Sequence, residues 1–231
     1  MASVPLPFPL PRPATAPPRG KVAIVAPHPD DEVVGCGGSL VMHREAGDPV
    51  RVLVVTDGRA GNVGKQPRAR GVHGAAAARV RDGGALLGGY SHTYWDYPDS
   101  CVVTEEALGG DRRRRSATWL RADPRTSSTR LGPARCNTDH AAVSESTRRA
   151  LVKLGFRGVC LGYEVYNPAP IDLCLDITRV ADKKLAAIRC FASQLSDTAI
   201  DHIIFGIHAS RSLLLPKGAR YGEGYFTIAV R

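Results

Sequence analysis

The chain has 231 residues, 43% of them apolar, which suits one domain with a sizeable core. Its formal net charge is +9, but much of the excess is local: Arg112, Arg113, Arg114 and Arg115 are consecutive, and Arg121, Arg125, Arg130 and Arg135 follow. With no basic stripe interleaved with aromatics and no RNA-binding signature, a nucleic-acid partner is not expected. Six cysteines scattered without a Cys-x-x-Cys pair exclude a zinc ribbon and fit the reduced thiols of a cytoplasmic protein.

Residues 1–19 form a proline-rich stretch with seven prolines, read as a flexible leader. It lacks the apolar core of a signal peptide, and nowhere does an apolar run reach the length of a membrane span, so no membrane partner is expected. The domain proper is residues 20–231. Lys21–Ala26 (KVAIVA) is a short β-branched run and predicts a buried strand. A polar turn, Pro27–Glu32, leads into helical spacing over 33–46, stopped by Gly47-Asp48. Arg51–Thr56 (RVLVVT) is a second buried strand. Strand, crossover helix and strand make one unit of a mostly parallel sheet flanked by helices, a single α/β domain. Asp57–Pro67 is a Gly-rich loop at the end of that strand, where such sheets place ligands.

A glycine-weakened helix is expected over 69–87, a strand over 94–97 ending at Pro98, and a helix start over 105–108. From 109 to 137 all periodicity is lost. A helix is expected over 140–154, with Asp139 at its start where negative charge suits the dipole. Strands follow over 158–166 and 172–177, then an amphipathic helix over 180–193 and a terminal strand within 220–230.

The chemistry concentrates in His28-Pro29-Asp30-Asp31-Glu32, directly after the first strand. Neutral imidazole and carboxylate oxygen are both good zinc ligands, and His28 and Asp31, three apart, can be aimed by one turn at one point. Asp30 then lies beside the ion, where a carboxylate can take the proton of an attacking water. Zinc needs a third protein ligand, and His140, at a helix start, is the best candidate. Taken alone, an acidic turn after a strand is more often a polar helix cap. Glu32 reads equally as support for His28 or as a first-turn helix carboxylate.

The stretch KVAIVAPHPDDEVVGCGGSL resembles the signature of the PIG-L/LmbE-like deacetylases, the GlcNAc-phosphatidylinositol de-N-acetylase family, with Pro27 where that family has alanine. Asn137-Thr138-Asp139-His140 resembles its second motif, His-Pro-Asp-His. Looser matches lie at Trp95–Asp99, at Tyr163–Tyr166 with Pro168, and at Ser193–Leu195. The resemblance implies a Rossmann-like fold and a zinc held by His28, Asp31 and His140, with iron(II) also chemically admissible at such a set. It implies Asp30 as general base and Asp139 as a catalytic residue paired with position 137. The implied substrate is a small-molecule N-acetyl amino sugar conjugate, from which acetate is removed. Asp99 would hydrogen-bond sugar hydroxyls, with a turn-forming Asp as the plain alternative; Arg68 would touch an anionic part of the substrate or be a solvated loop arginine. Asn137 departs from the family's histidine: it donates a hydrogen bond but carries no charge and transfers no proton. Two other classes stay open, a relative that binds metal or sugar without turnover and a nucleotide-binding module. The Gly35-Cys36-Gly37-Gly38 run lacks dinucleotide-loop spacing and suits close helix–sheet packing better. The sequence leaves the oligomeric state open.

Residues 109–137, Arg-rich and Ser/Thr-rich, differ from their flanks. In a GC-rich back-translation offset by two bases, RTSSTRLGPAR (125–135) can encode Asp-Val-Val-Tyr-Ala-Pro-Trp-Pro-Gly-Glu-Met, a strand and loop. A one-base correction near 137 then allows a histidine there. We read the segment as the product of two compensating frameshifts, the alternative being a divergent insertion that leaves a core strand missing. A re-read gene that returns RTSSTRLGPARCN unshifted ends that reading.

Overall fold

The computed structural model describes residues 10–58, 75–99, 126–131, 138–191, 195 and 198–230. Among these, one sheet is built from β1 (Arg12–Ala14), β2 (Lys21–Ala26), β3 (Val50–Thr56), β4 (Ser91–Tyr97), β5 (Thr126–Leu131), β6 (Cys160–Tyr163), β7 (Leu173–Asp176) and β8 (Gly222–Thr227). The helices are α1 (Asp31–Glu45), α2 (Ala75–Leu86), α3 (Thr138–Lys153), α4 (Ala181–Arg189) and α5 (Ile200–Arg211). The strand order is β1-β7-β8-β6-β5-β2-β3-β4, parallel throughout except for β8, which runs antiparallel to β6 and β7. The expected α/β domain with a mostly parallel, helix-flanked sheet is therefore what the chain forms.

The order of strands positions the site. The chain steps outward from β2 to β3 to β4, then returns to lay β5 on the other flank of β2. That reversal opens a crevice beyond the C-terminal ends of β2 and β5. The turn after β2 and the start of α3, which follows β5, both border it.

Alternation along β2 and β3 supplies two of the core clusters. Val22, Ile24 and Ala26 of β2 and Val50, Val52 and Val54 of β3 pack with α1 and α4 on one face. Val25, Leu53 and Val55 face the other way, onto Val143 of α3. Each such buried Val, Ile or Leu side chain contributes about 1.5–3 kcal/mol.

Helix α1 is broken at Cys36 (φ −136, ψ 23). Beyond the break the amides of Gly38 and Ser39 donate to the carboxylate of Glu223 on β8, at 2.6 and 2.9 Å. The same carboxylate accepts from Lys184 Nζ at 2.7 Å and from the Tyr225 hydroxyl at 2.6 Å, and Lys184 also reaches His208 Nε2 at 2.7 Å. Burial and the Lys184 charge keep the His208 imidazole well below its ordinary pKa, so its neutral nitrogen can accept. Lys184 and Glu223 are both fully buried, so breaking this pair by removing one partner would cost about 3–5 kcal/mol.

The glycines of α1 allow it to press onto the sheet. A Cβ on Gly35 would stand 2.1 Å from the Tyr163 ring and 2.7 Å from the Glu164 carbonyl; one on Gly38 would stand 2.6 Å from Ile177. Packing is thus their role here. Gly35→Ala is expected to lose about 3 kcal/mol, the upper end for overpacking, seen as a lower urea midpoint at unchanged slope. A parental midpoint would mean that β6 can retreat from α1.

The structure departs from the sequence reading in several places. Within the proline-rich leader, Arg12–Ala14 pairs in register with Leu173–Leu175 as the edge strand β1. An edge tolerates Pro13, which has no amide to donate. Within 109–137, where the residues as they stand gave no strand and the divergent-insertion alternative left a core strand missing, Thr126–Leu131 pairs with both β2 and β6, so at backbone level the core strand is present. The strand expected over 158–166 is confined to Cys160–Tyr163: Glu164 accepts the Ala169 amide at 2.6 Å and ion-pairs with Arg211, which turns the chain. The helix expected over 180–193 begins as a 3₁₀ turn, Thr178–Val180, and α4 ends at Arg189. Helix α5 was not expected. The helix start at 105–108 lies outside the described residues. Cys36, Cys160, Cys174 and Cys190 form no disulfide among the described residues, and Cys101 and Cys136 lie outside them. Among the described residues no helix is long and apolar enough to cross a membrane.

Candidate metal centre

Strand β2 ends at Ala26, and the turn that follows delivers His28, Asp30 and Asp31 to the crevice. Two backbone bonds to the His28 carbonyl, from the amides of Asp30 at 3.0 Å and Asp31 at 3.4 Å, wind the turn tight. The His28 amide in turn donates to Asp31 Oδ2 at 2.9 Å, which fixes that carboxylate. From across the crevice, the first turn of α3 brings Asp139 and His140, both buried.

Three donor atoms meet there. His28 Nδ1 lies 3.0 Å from His140 Nε2 and 3.2 Å from Asp31 Oδ2, and His140 Nε2 lies 3.3 Å from Asp31 Oδ2. Four-coordinate zinc with bonds of about 2.0–2.1 Å keeps its ligands about 3.3 Å apart, so the triangle has the size such an ion needs. Asp31 Oδ1, fully buried, has no hydrogen-bond partner among the described residues, which is costly for a carboxylate unless a cation is near. The donor set and its spacing fit a divalent ion. Of the seven residues singled out from the sequence, the structure brings together His28, Asp30, Asp31, Asp99, Asp139 and His140; Arg68, like Asn137, lies outside the described residues.

Charge is finely divided within the cluster. Burial would raise the Asp31 carboxyl, but His140 and His28 outweigh it and hold it below the usual range. Burial leaves the His140 imidazole below its ordinary value. Burial would lower His28 too, yet its hydrogen bonds with Asp139, Asp31 and Asp99 hold it up at about 12.

Asp30 differs from its neighbour. It is buried, and burial together with the Asp31 charge pushes its carboxyl well above the usual range. Its backbone is at φ 155, ψ −21, a conformation that side-chain-bearing residues rarely adopt. The Asp30 backbone therefore stores strain. The Tyr166 hydroxyl stands 3.5 Å from Asp30 Oδ2. Tyr166 had no assigned role in the sequence reading; the looser family match at Tyr163–Tyr166 was the available signal. Glu32 does not support His28: its carboxylate, fully buried, faces the His92 ring, with Nε2 3.7 Å away.

A parallel α/β sheet that carries a His–Asp–His triangle and a buried carboxylate at its switch point defines a class of protein built around a candidate metal centre. Within that class, the profile of the family described as PIG-L, GlcNAc-PI de-N-acetylase, matches residues 23–151, more than half of the chain, and the chain belongs to that family. Among solved structures it is similar to N,N'-diacetylchitobiose deacetylase from Pyrococcus horikoshii, with a TM-score of 0.72 and 23% identity, covering 91% of this chain and 84% of that one. It is similar to GalB, the 4-carboxy-2-hydroxymuconate hydratase from Pseudomonas putida, with a TM-score of 0.72 and 21% identity over 92% of this chain and 97% of that one. The A40926 pseudoaglycone deacetylase Dbv21 follows with a TM-score of 0.69 and 18% identity, covering 91% and 97%. At such identities these likenesses speak for the fold. None of the curated proteins compared matches the chain.

Proposed function

We propose that this protein is a zinc-dependent N-deacetylase that removes acetate from an N-acetylglucosamine-type conjugate. The observation that carries the reading is the donor triangle of His28, Asp31 and His140 with the buried Asp30 beside it. A divalent ion held by those three would polarise the acetamide carbonyl and make water a stronger acid. Asp30 takes the proton of the attacking water and returns it to the departing amine, which explains why its carboxyl is not itself one of the three donors. Tyr166 keeps the Asp30 carboxylate turned toward the crevice through its hydroxyl. Asp139 is the catalytic partner of position 137, Asp99 at the end of β4 meets sugar hydroxyls, and Arg68 meets an anionic part of the substrate. With Asn137 in place of a charged donor, turnover should be slower by about 10²–10³ than with histidine there.

The fold is also that of a hydratase, so the amide must be tested directly. Protein purified from zinc-supplemented cells is expected to carry zinc and to release acetate from some member of a panel of N-acetylglucosaminides. Zinc without acetate from any of them would support a binding protein without turnover, and an absence of both would remove the proposal.

A further inference from the structure

His28 has two ring nitrogens, and they face different partners. Nδ1 belongs to the donor triangle. Nε2 points the other way, 3.0 Å from Asp99 Oδ1 and 3.5 Å from Asp139 Oδ2. A ring that ligates an ion through one nitrogen has given up the proton there and keeps a single proton, on the other nitrogen. Two carboxylates at Nε2, and no protein donor that needs Nε2 as an acceptor among the described contacts, place the proton there. His28, Asp99 and Asp139 also have the spacing of a ligand set of their own. An ion at that set would need the Nε2 lone pair, hence loss of the ring's last proton while Nδ1 serves the first ion; holding the proton is the cheaper use of the same three groups.

From these distances we infer that Asp99, with Asp139, is a positioning residue for the metal centre: it fixes His28 in the Nε2–H form and so sets the affinity of the His28–Asp31–His140 triangle for a divalent ion. The inference rests on the proposed metal-dependent reading and adds a determinant that the ligands themselves do not contain. Asp99 is well suited to the task. Its side chain is only 7% exposed. Its backbone amide donates to Asp57 Oδ1 at 3.3 Å, so the loop that carries it is tied to the end of β3. Its negative charge also raises the basicity of the bare nitrogen, because the imidazole shares its proton with an anion.

The assignment separates two roles for one residue. A carboxylate that only meets sugar hydroxyls changes KM and leaves metal binding alone. A carboxylate that orients His28 changes metal binding in the absence of any sugar. The experiment is a zinc titration of the full chain against a competing chelator, without substrate. The parent should bind one zinc. Asp99→Asn, which keeps the shape and removes the charge, should weaken zinc by about 10-fold, and Asp99→Ala by up to about 100-fold. Asp99→Glu should recover part of the loss. Equal zinc affinity in parent, Asn and Ala variants overturns the inference while leaving the deacetylase proposal standing; a parent that binds no zinc overturns both. A second reading needs no variant: in the zinc-loaded parent, long-range ¹H–¹⁵N correlation of the imidazoles should find the His28 proton on Nε2. A proton on Nδ1 would overturn the inference whatever the variants do.

Discussion

Asp30→Ala is expected to keep its zinc and lose acetate release by about 10²–10⁴ in kcat, the range for removing a general base. Asp30 is not among the three donors, and none of the distances that define the triangle involves it. Metal content by elemental analysis should therefore match the parent while the initial rate falls. The strained backbone makes a second variant informative. At φ 155 alanine is as ill-placed as aspartate, whereas glycine is at ease. Asp30→Gly should be as inactive as Asp30→Ala yet more stable by about 1 kcal/mol or more. Undiminished turnover in either variant would remove the assignment of the base.

His140→Ala should act on the other half of the site. Removing one of three protein ligands from an ion with an open fourth position leaves two, and zinc affinity should fall on the order of 10³-fold. Acetate release then fails because the ion is absent at ordinary zinc concentrations. The discriminating measurement is a chelator competition: if His140→Ala holds zinc as tightly as the parent, the crevice between β2 and α3 is not where the ion binds.

The turn at 28–31 was legible because everything around it is local. An apolar β-branched strand ends, two carboxylates and an imidazole follow within four residues, and helical spacing resumes. The convergence of His140 on that turn was anticipated from its place at a helix start and from the resemblance; physically it depends on where β5 lies, and the residues as they stand do not show β5. Its residues, Thr126–Leu131, are TSSTRL, while an inner strand of a parallel sheet usually reads as a run of Val, Ile and Leu. The shifted codons would place Val-Val-Tyr at the first three positions of that strand, which is why the frameshift reading and the backbone agree on where the strand is and disagree on what it is made of. Helix α5 was missed although its buried Ile200, Ile204 and His208 recur every four residues; Gly206 and the polar interruptions hid the pattern. Glu223 was beyond reach altogether. A lone acid between two glycines in a strand gives no sign that its partners lie 184 and 185 positions away.

That long reach bears on how the protein comes into being. During synthesis the helix bearing Asp31 emerges early, but the two amides past its break have no acceptor until β8 has left the ribosome and swung in beside β6 and β7. Until that moment the helix must leave those groups wet or stay undocked, since hiding them unmatched costs about 1–3 kcal/mol each. Strand β8 thus acts as a latch on a helix made far upstream of it, and a message cut short before residue 222 would yield a chain that has every proposed ligand in its sequence and no rigid seat for the ion.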